Sequence, residues 1–215
     1  MARKTIAEML QGQRTLIFNS SKPEIAPKLA AMGIDTQFLS SGEELYHQVT
    51  SLNSSQDMEE QEARRAYDIF HEELESGKAD AKNMRELVKM ASRKDKGLQN
   101  RLKLYQGEEH AIEEWLAQAS GFYSRLLNEP EFLSSINKFG ITAEKISESI
   151  LALENIKRLR NEAISETGQA QEATRLRNEK IDQLKDYCYE LKTIATVALE
   201  SEPQLLEMLG ITVKG

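Results

Sequence analysis

One spacing limits what this chain can fold into: a pattern of apolar, Pro and Gly residues recurs 107 positions later without a gap. Pro23-Glu24-Ile25 answers to Pro130-Glu131-Phe132, and Met32-Gly33-Ile34 to Phe139-Gly140-Ile141. Leu39, Val49 and Leu52 fall on Ile146, Ile156 and Leu159. Leu74, Met84, Leu87, Met90 and Ala91 fall on Ile181, Leu191, Ile194, Val197 and Ala198, and Leu98 and Leu102 fall on Leu205 and Leu209. Apolar positions set a core and Pro and Gly set turns, so the repeated information is a fold and not a visible reaction centre. The spacing predicts two tandem copies of one helical unit, residues 1–107 and 108–215, sharing one joint bundle domain. An extended array of two separate units is the alternative.

Local signals make the copies helical. Only 11 Gly and 4 Pro interrupt 215 residues, and 29% of the chain is charged, which is the balance of long helices. In the first copy a leading helix is expected from Thr5 to Ile17, ended by Asn19-Ser20-Ser21. Pro23 suits the first turn of a short helix that stops at Gly33, after which Asp35 or Thr36 caps the next. The second copy repeats these devices with Asn128, Pro130, Gly140 and Thr142, and has Lys145 where a capping-box Glu would stand.

Beyond the caps, apolar residues follow a helical period. One stripe runs through Ile146, Ile150, Leu153, Ile156, Leu159 and Ala163 in a helix expected over Thr142–Thr167. Ala173, Leu176, Ile181, Leu184, Cys188, Leu191, Ala195 and Ala198 mark another over Gln169–Leu199. In the first copy, Asn53-Ser54-Ser55-Gln56-Asp57 reads as a break between two long helices, and Ser76-Gly77 as a kink or interruption. The expected fold is all-α: two hairpins of long amphipathic helices closed into an antiparallel bundle with pseudo-two-fold symmetry.

Reactive constellations are sparse. Glu44-Leu45-Tyr46-His47 has the Glu-x-x-His spacing of di-iron bundles, and Asp68-Ile69-Phe70-His71 is a looser echo. The second copy has Glu154 and Asn178 at the histidine positions and His110 has no matched partner, so the ligand set is incomplete and no metal residues are assigned. Cys188 lies on the apolar stripe, where a thiol behaves as a small hydrophobe. A single cysteine excludes a disulfide framework, and no Gly-rich phosphate loop is present. The acidic pairs Glu43-Glu44, Glu59-Glu60, Glu72-Glu73 and Glu113-Glu114 read as solvated helix faces. No catalytic or cofactor-binding residue and no cofactor is assigned.

Partners are constrained by charge. A net charge of −7 argues against nucleic acid, and the basic clusters Arg93-Lys94-Asp95-Lys96 and Lys157-Arg158-Leu159-Arg160, with Arg175 and Arg177, have interleaved acids and no aromatic stacking set. The first residues, Met1-Ala2-Arg3-Lys4, carry the bases of a leader, but Glu8, Gln11, Gln13 and Arg14 interrupt any apolar stretch behind them. The expectation is a cytoplasmic protein with no membrane and no nucleic-acid partner. Trp115, with Phe122 and Tyr123, breaks the repeat, since Glu8 holds the matched position. It is expected to fill the junction where the leading helix of the second copy meets the first, or to anchor a partner. The functional expectation is a non-enzymatic scaffold, adaptor or assembly subunit working by protein contact or self-association. A metal- or small-ligand-binding bundle comes second, and a nucleic-acid-associated protein third.

Overall fold

A computed structural model describes residues 5–212, and every regular element among them is helical. Met1-Ala2-Arg3-Lys4, which entered the leader argument, lie outside the described residues. Helix α1 (Ile6–Ser20) opens with a capping box. The Thr5 hydroxyl accepts the Glu8 N–H at 3.2 Å and the Glu8 carboxylate accepts the Thr5 N–H at 2.8 Å. Helix α2 (Ala26–Ala30) begins later than expected. Pro23 sits in the preceding turn, closed by the Ile25 N–H on the Lys22 carbonyl, and Pro27 takes the first-turn position. Gly33 stops α2 in the left-handed region at φ 89°, and the Ile34 N–H returns to the Leu29 carbonyl.

The Asp35 carboxylate then accepts the Phe38 N–H at 2.7 Å, capping α3 (Thr36–Ala91). Asp95 caps α4 (Lys96–Arg101) in the same way. After α5 (Ile112–Leu127), α6 (Pro130–Ile136) starts on Pro130 as expected, and a 3-10 turn at Asn137–Phe139 leads to Gly140 at φ 77°. The Thr142 hydroxyl accepts the Lys145 N–H ahead of α7 (Ala143–Ala198), and α8 (Pro203–Met208) closes the described chain.

The expected hairpins do not form. Each copy has one uninterrupted helix of 56 residues, and the ends of α3 and α7 fall 107 positions apart. Asn53–Asp57 is helical because its polar side chains bond within the helix or across to α7 without stopping either. The Ser54 hydroxyl donates to the Thr50 carbonyl, and buried Gln56 donates to Glu60 and accepts from Arg177 at 2.5 Å. Ser76 and Gly77 likewise lie inside α3. Leu176, expected on the buried stripe, is 39% exposed.

The described residues divide into two compact units that cross the 107/108 boundary. The first unit holds the residues up to Glu60 and those from Gln169 onward. Its core joins Ile17, Leu29 and Val49 of the first copy to Leu184, Leu191 and Leu206 of the second. The second unit is Gln61–Gly168, whose core joins Leu74, Val88 and Leu102 to Trp115, Phe122 and Ile156. A gap in the apolar pattern separates the two clusters along each long helix. No buried apolar residue lies between Val49 and Phe70 on α3, or between Ala163 and Ile181 on α7. Ion pairs of Arg175 with Glu172 and Glu179 stabilise the polar stretch of α7 locally.

Candidate functional site

Inside the second unit, the second part of α3 lies against α5, and between them runs a groove of about 210 Å³. Its floor is Ala81, Ala119 and Trp115, whose indole is only 3% exposed. The indole lies beside Gly77 of α3. A Cβ at that position would lie 3.7 Å from Trp115 and would press on the Ile156 methyl. Trp115 therefore packs where the leading helix of the second copy meets α3 of the first, with Phe122 and Tyr123 buried on the same helix.

Cations form the wall. Lys78, Lys82, Arg85 and Lys89 all line the groove, at the four-three-four spacing that puts side chains on one face of a helix. Lys78 pairs with Glu75 at 3.0 Å and Lys89 with Glu86 at 2.7 Å. Hydrogen bonding from Lys89, reinforced by the charges of Lys89, Lys82 and Arg85, holds the Glu86 carboxyl below its ordinary value. Beyond this attraction to Glu86, Lys82 and Arg85 form no ion pair among the described residues. Arg85 lies over the Phe122 ring at 5.3 Å, and Lys89 over Tyr105 at 5.7 Å. Arg125, further along α5 and not on the groove lining, is held below the ordinary guanidinium value by burial and then by repulsion from Arg85. Its Nε is buried without a hydrogen-bond partner.

A groove of about 320 Å³ occupies the matched place in the first unit, between α1 and the second part of α7. Six lining positions of one groove sit 107 residues from six of the other: Glu8 for Trp115, Gly12 for Ala119, Lys185 for Lys78, Cys188 for Ala81, Tyr189 for Lys82 and Lys192 for Arg85. Met9, Leu16 and Ile211 add apolar surface to it, and Lys185 pairs with Asp182. Thr193 and Thr196 stand at the positions matched to Glu86 and Lys89. The two grooves share helices and register but differ in charge.

The residues singled out from sequence do not converge on a reaction centre. Exposed His47 lies edge-on to Phe18 and Tyr46, and exposed His71 lies against Tyr67 and Phe70. His110 is exposed beside the start of α5. Cys188 is buried among the first unit's apolar residues, which pushes its thiol up to about 12. Among the basic clusters read from sequence, Arg160 bonds Glu113, Arg158 pairs with Glu162, and Arg175 is clamped between Glu172 and Glu179. The unpaired cations of the groove escaped sequence reading because they are spread along one helical face with acids between them. No described helix is long and apolar enough to cross a membrane. Comparison with family models, characterised proteins and solved structures gives no match to this chain.

Proposed function

We propose that this chain is a non-enzymatic, cytoplasmic helical protein that works by contact with other proteins, as a scaffold, an adaptor or a subunit of an assembly. In this reading it is two tandem copies of one helical unit, packed antiparallel with pseudo-two-fold symmetry. The observation that carries the contact reading is the groove of the second unit. It has an apolar floor and a wall of cations, of which Lys82 and Arg85 make no ion pair among the described residues. Apolar floor with a charged rim is the composition of a surface made for a partner. Exposed apolar side chains at matched positions add support: Met32 and Phe139 are 48% and 40% exposed, and Met90 and Val197 are 44% and 58%.

A photo-cross-linking amino acid at position 82, and separately at the matched position 189, tests the reading in the native host. A discrete protein adduct at position 82 is expected. No adduct above an unirradiated control at either position would overturn it. Metal co-purifying in stoichiometric amount, and lost on His47→Ala, would favour the second function class.

A further inference from the structure

We infer that the groove of the second unit receives an acidic, amphipathic segment of a partner protein, a proposal that rests on the protein-contact reading above. The cations are set out along a line. From Lys78 to Lys89 the α3 backbone rises about 16 Å, or roughly three turns, so the wall matches an elongated polyanion better than a single small anion. The floor of Ala81, Ala119 and the Trp115 edge gives apolar contact beneath that line, and Gln106 and Gln118 supply amides at its border. A segment with carboxylates on one side and apolar residues on the other satisfies both surfaces at once. A nucleic-acid strand does not. Its bases would need exposed rings to stack on, whereas Trp115 is buried.

The charges left over within the chain point the same way. On α5, Arg125 Nε is buried without a hydrogen-bond partner, and burial, then repulsion from Arg85, holds that guanidinium below its ordinary value. A carboxylate entering the groove beside Lys82 and Arg85 would give these two lining cations an ion-pair partner. The matched groove in the first unit has Tyr189 at the position of Lys82 and Thr196 at that of Lys89, so it offers an anion fewer cations.

The test uses the full chain and a synthetic peptide of about 15 residues with Glu on one helical face and Leu on the other. Trp115, the chain's single tryptophan, serves as the fluorescent reporter. Saturable binding is expected, weakened at least tenfold between about 0.05 and 0.5 M salt. The pair Lys82→Glu with Arg85→Glu should lower affinity at least tenfold, and Lys192→Glu in the other groove should leave it unchanged. Because Arg85 also packs on Phe122, Lys82→Glu alone, with its melting curve, separates lost binding from lost folding. No binding of the Glu/Leu peptide, equal binding of its Gln/Leu analogue, or tighter binding of a single-stranded oligonucleotide at the same residues would each overturn the proposal. If the peptide fails while a protein adduct still forms at position 82, this inference falls and the contact reading stands.

Discussion

The groove of the second unit and the groove of the first are walled by matched helices, yet what fills the space beneath them has been exchanged. In the second unit, α3 carries Gly77, α5 carries Trp115 and α7 carries Ile156. At the matched positions of the first unit stand Leu184, Glu8 and Val49, of which Leu184 and Val49 are fully buried. Bulk removed from the long helix at Gly77 is restored from the short helix by the indole. The same register therefore supports a dense core with a different division of labour. A second exchange runs the other way. In the first unit Gly42 lets the Tyr187 ring lie on the α3 backbone, where it stacks on Phe38 with ring centres 4.7 Å apart and donates its hydroxyl to the Phe38 carbonyl at 3.1 Å. The second unit has Ser149, Asp80 and Lys145 at those positions. Each unit thus holds one large aromatic beside a helical glycine, at a different level, and the groove of the second unit is lined by more cations.

The largest expected effect breaks the comparison at Trp115. Trp115→Ala empties a buried site beside Gly77 and should cost about 3–5 kcal/mol in urea unfolding. Glu8→Ala at the matched position removes one arm of an exposed capping box and should cost about 1 kcal/mol or less. Equal losses at the two positions would show that the indole is not filling space vacated by Gly77.

Next in size is thiol reactivity, which compares the two groove floors directly. Cys188 is buried and its thiol is pushed up to about 12, so at pH 8 alkylation of the native chain should be at least about a hundredfold slower than of the unfolded chain. Ala81→Cys in a Cys188→Ala background places a thiol among Lys78, Lys82 and Arg85. It should react at least about tenfold faster than native Cys188, because neighbouring cations favour the thiolate. The sign of the pH effect follows from the same burial. Native Cys188 keeps a proton that the unfolded chain loses from about pH 8.5 upward, so its linkage lowers stability as pH rises from there toward about 12. Fast labelling of Cys188 at neutral pH would contradict this placement.

Which parts of this were legible in the sequence follows from how local their causes are. The stops at Gly33 and Gly140 and the caps at Asp35 and Thr142 are set by one or two neighbouring residues, and they stand where the sequence puts them. Continuity of α3 through Asn53–Asp57 was not legible, because a run of Ser, Asn and Asp reads as a stop until its partners are known. Here Gln56 is bonded by Arg177, 121 residues away. The groove was hidden for the same reason. The spacing of Lys78, Lys82, Arg85 and Lys89 is visible in the chain, but only tertiary contacts distinguish unpaired Lys82 and Arg85 from Arg160, which reaches Glu113 on another helix.

A smaller effect separates the two helical glycines. Gly42→Ala brings a methyl against the rigid Tyr187 ring, and the overpacking, offset in part by the better helix propensity of Ala, should leave a net cost of about 1–2 kcal/mol. Gly77→Ala meets the end of the Ile156 side chain, which can rotate away, so a change within about 0.5 kcal/mol is expected. The difference between the two melting temperatures measures how far a rigid aromatic, and not the glycine itself, sets the tolerance of each unit. A larger loss at Gly77 would mean that Ile156 is locked between Trp115 and α3.

The smallest effect compares how the two units end their short helices. After α4, Lys103 takes a left-handed conformation at φ 53°, and the Leu104 N–H returns to the Gln99 carbonyl at 3.1 Å. After α8, Gly210 occupies the matched position at φ 74°, and the Ile211 N–H returns to the Leu206 carbonyl at 3.0 Å. The hydrogen-bonded closure is the same in both, so the units differ here by the presence of a Cβ on a left-handed residue. That conformation costs an L-residue with a side chain about 1–2 kcal/mol, whereas glycine adopts it freely but gains conformational entropy in the unfolded chain. With the two terms opposed, Lys103→Gly should stabilise by about 0.5 kcal/mol. Gly210→Lys should cost about 1 kcal/mol, for conformational reasons, since the nearest atom to an added Cβ is the Thr15 methyl at an ordinary 3.6 Å. Chemical denaturation of the two variants reads both signs. If Lys103→Gly destabilises, then the lysine side chain makes a contact that outweighs its backbone strain, and the two helix ends are equivalent in hydrogen bonding but not in what secures them.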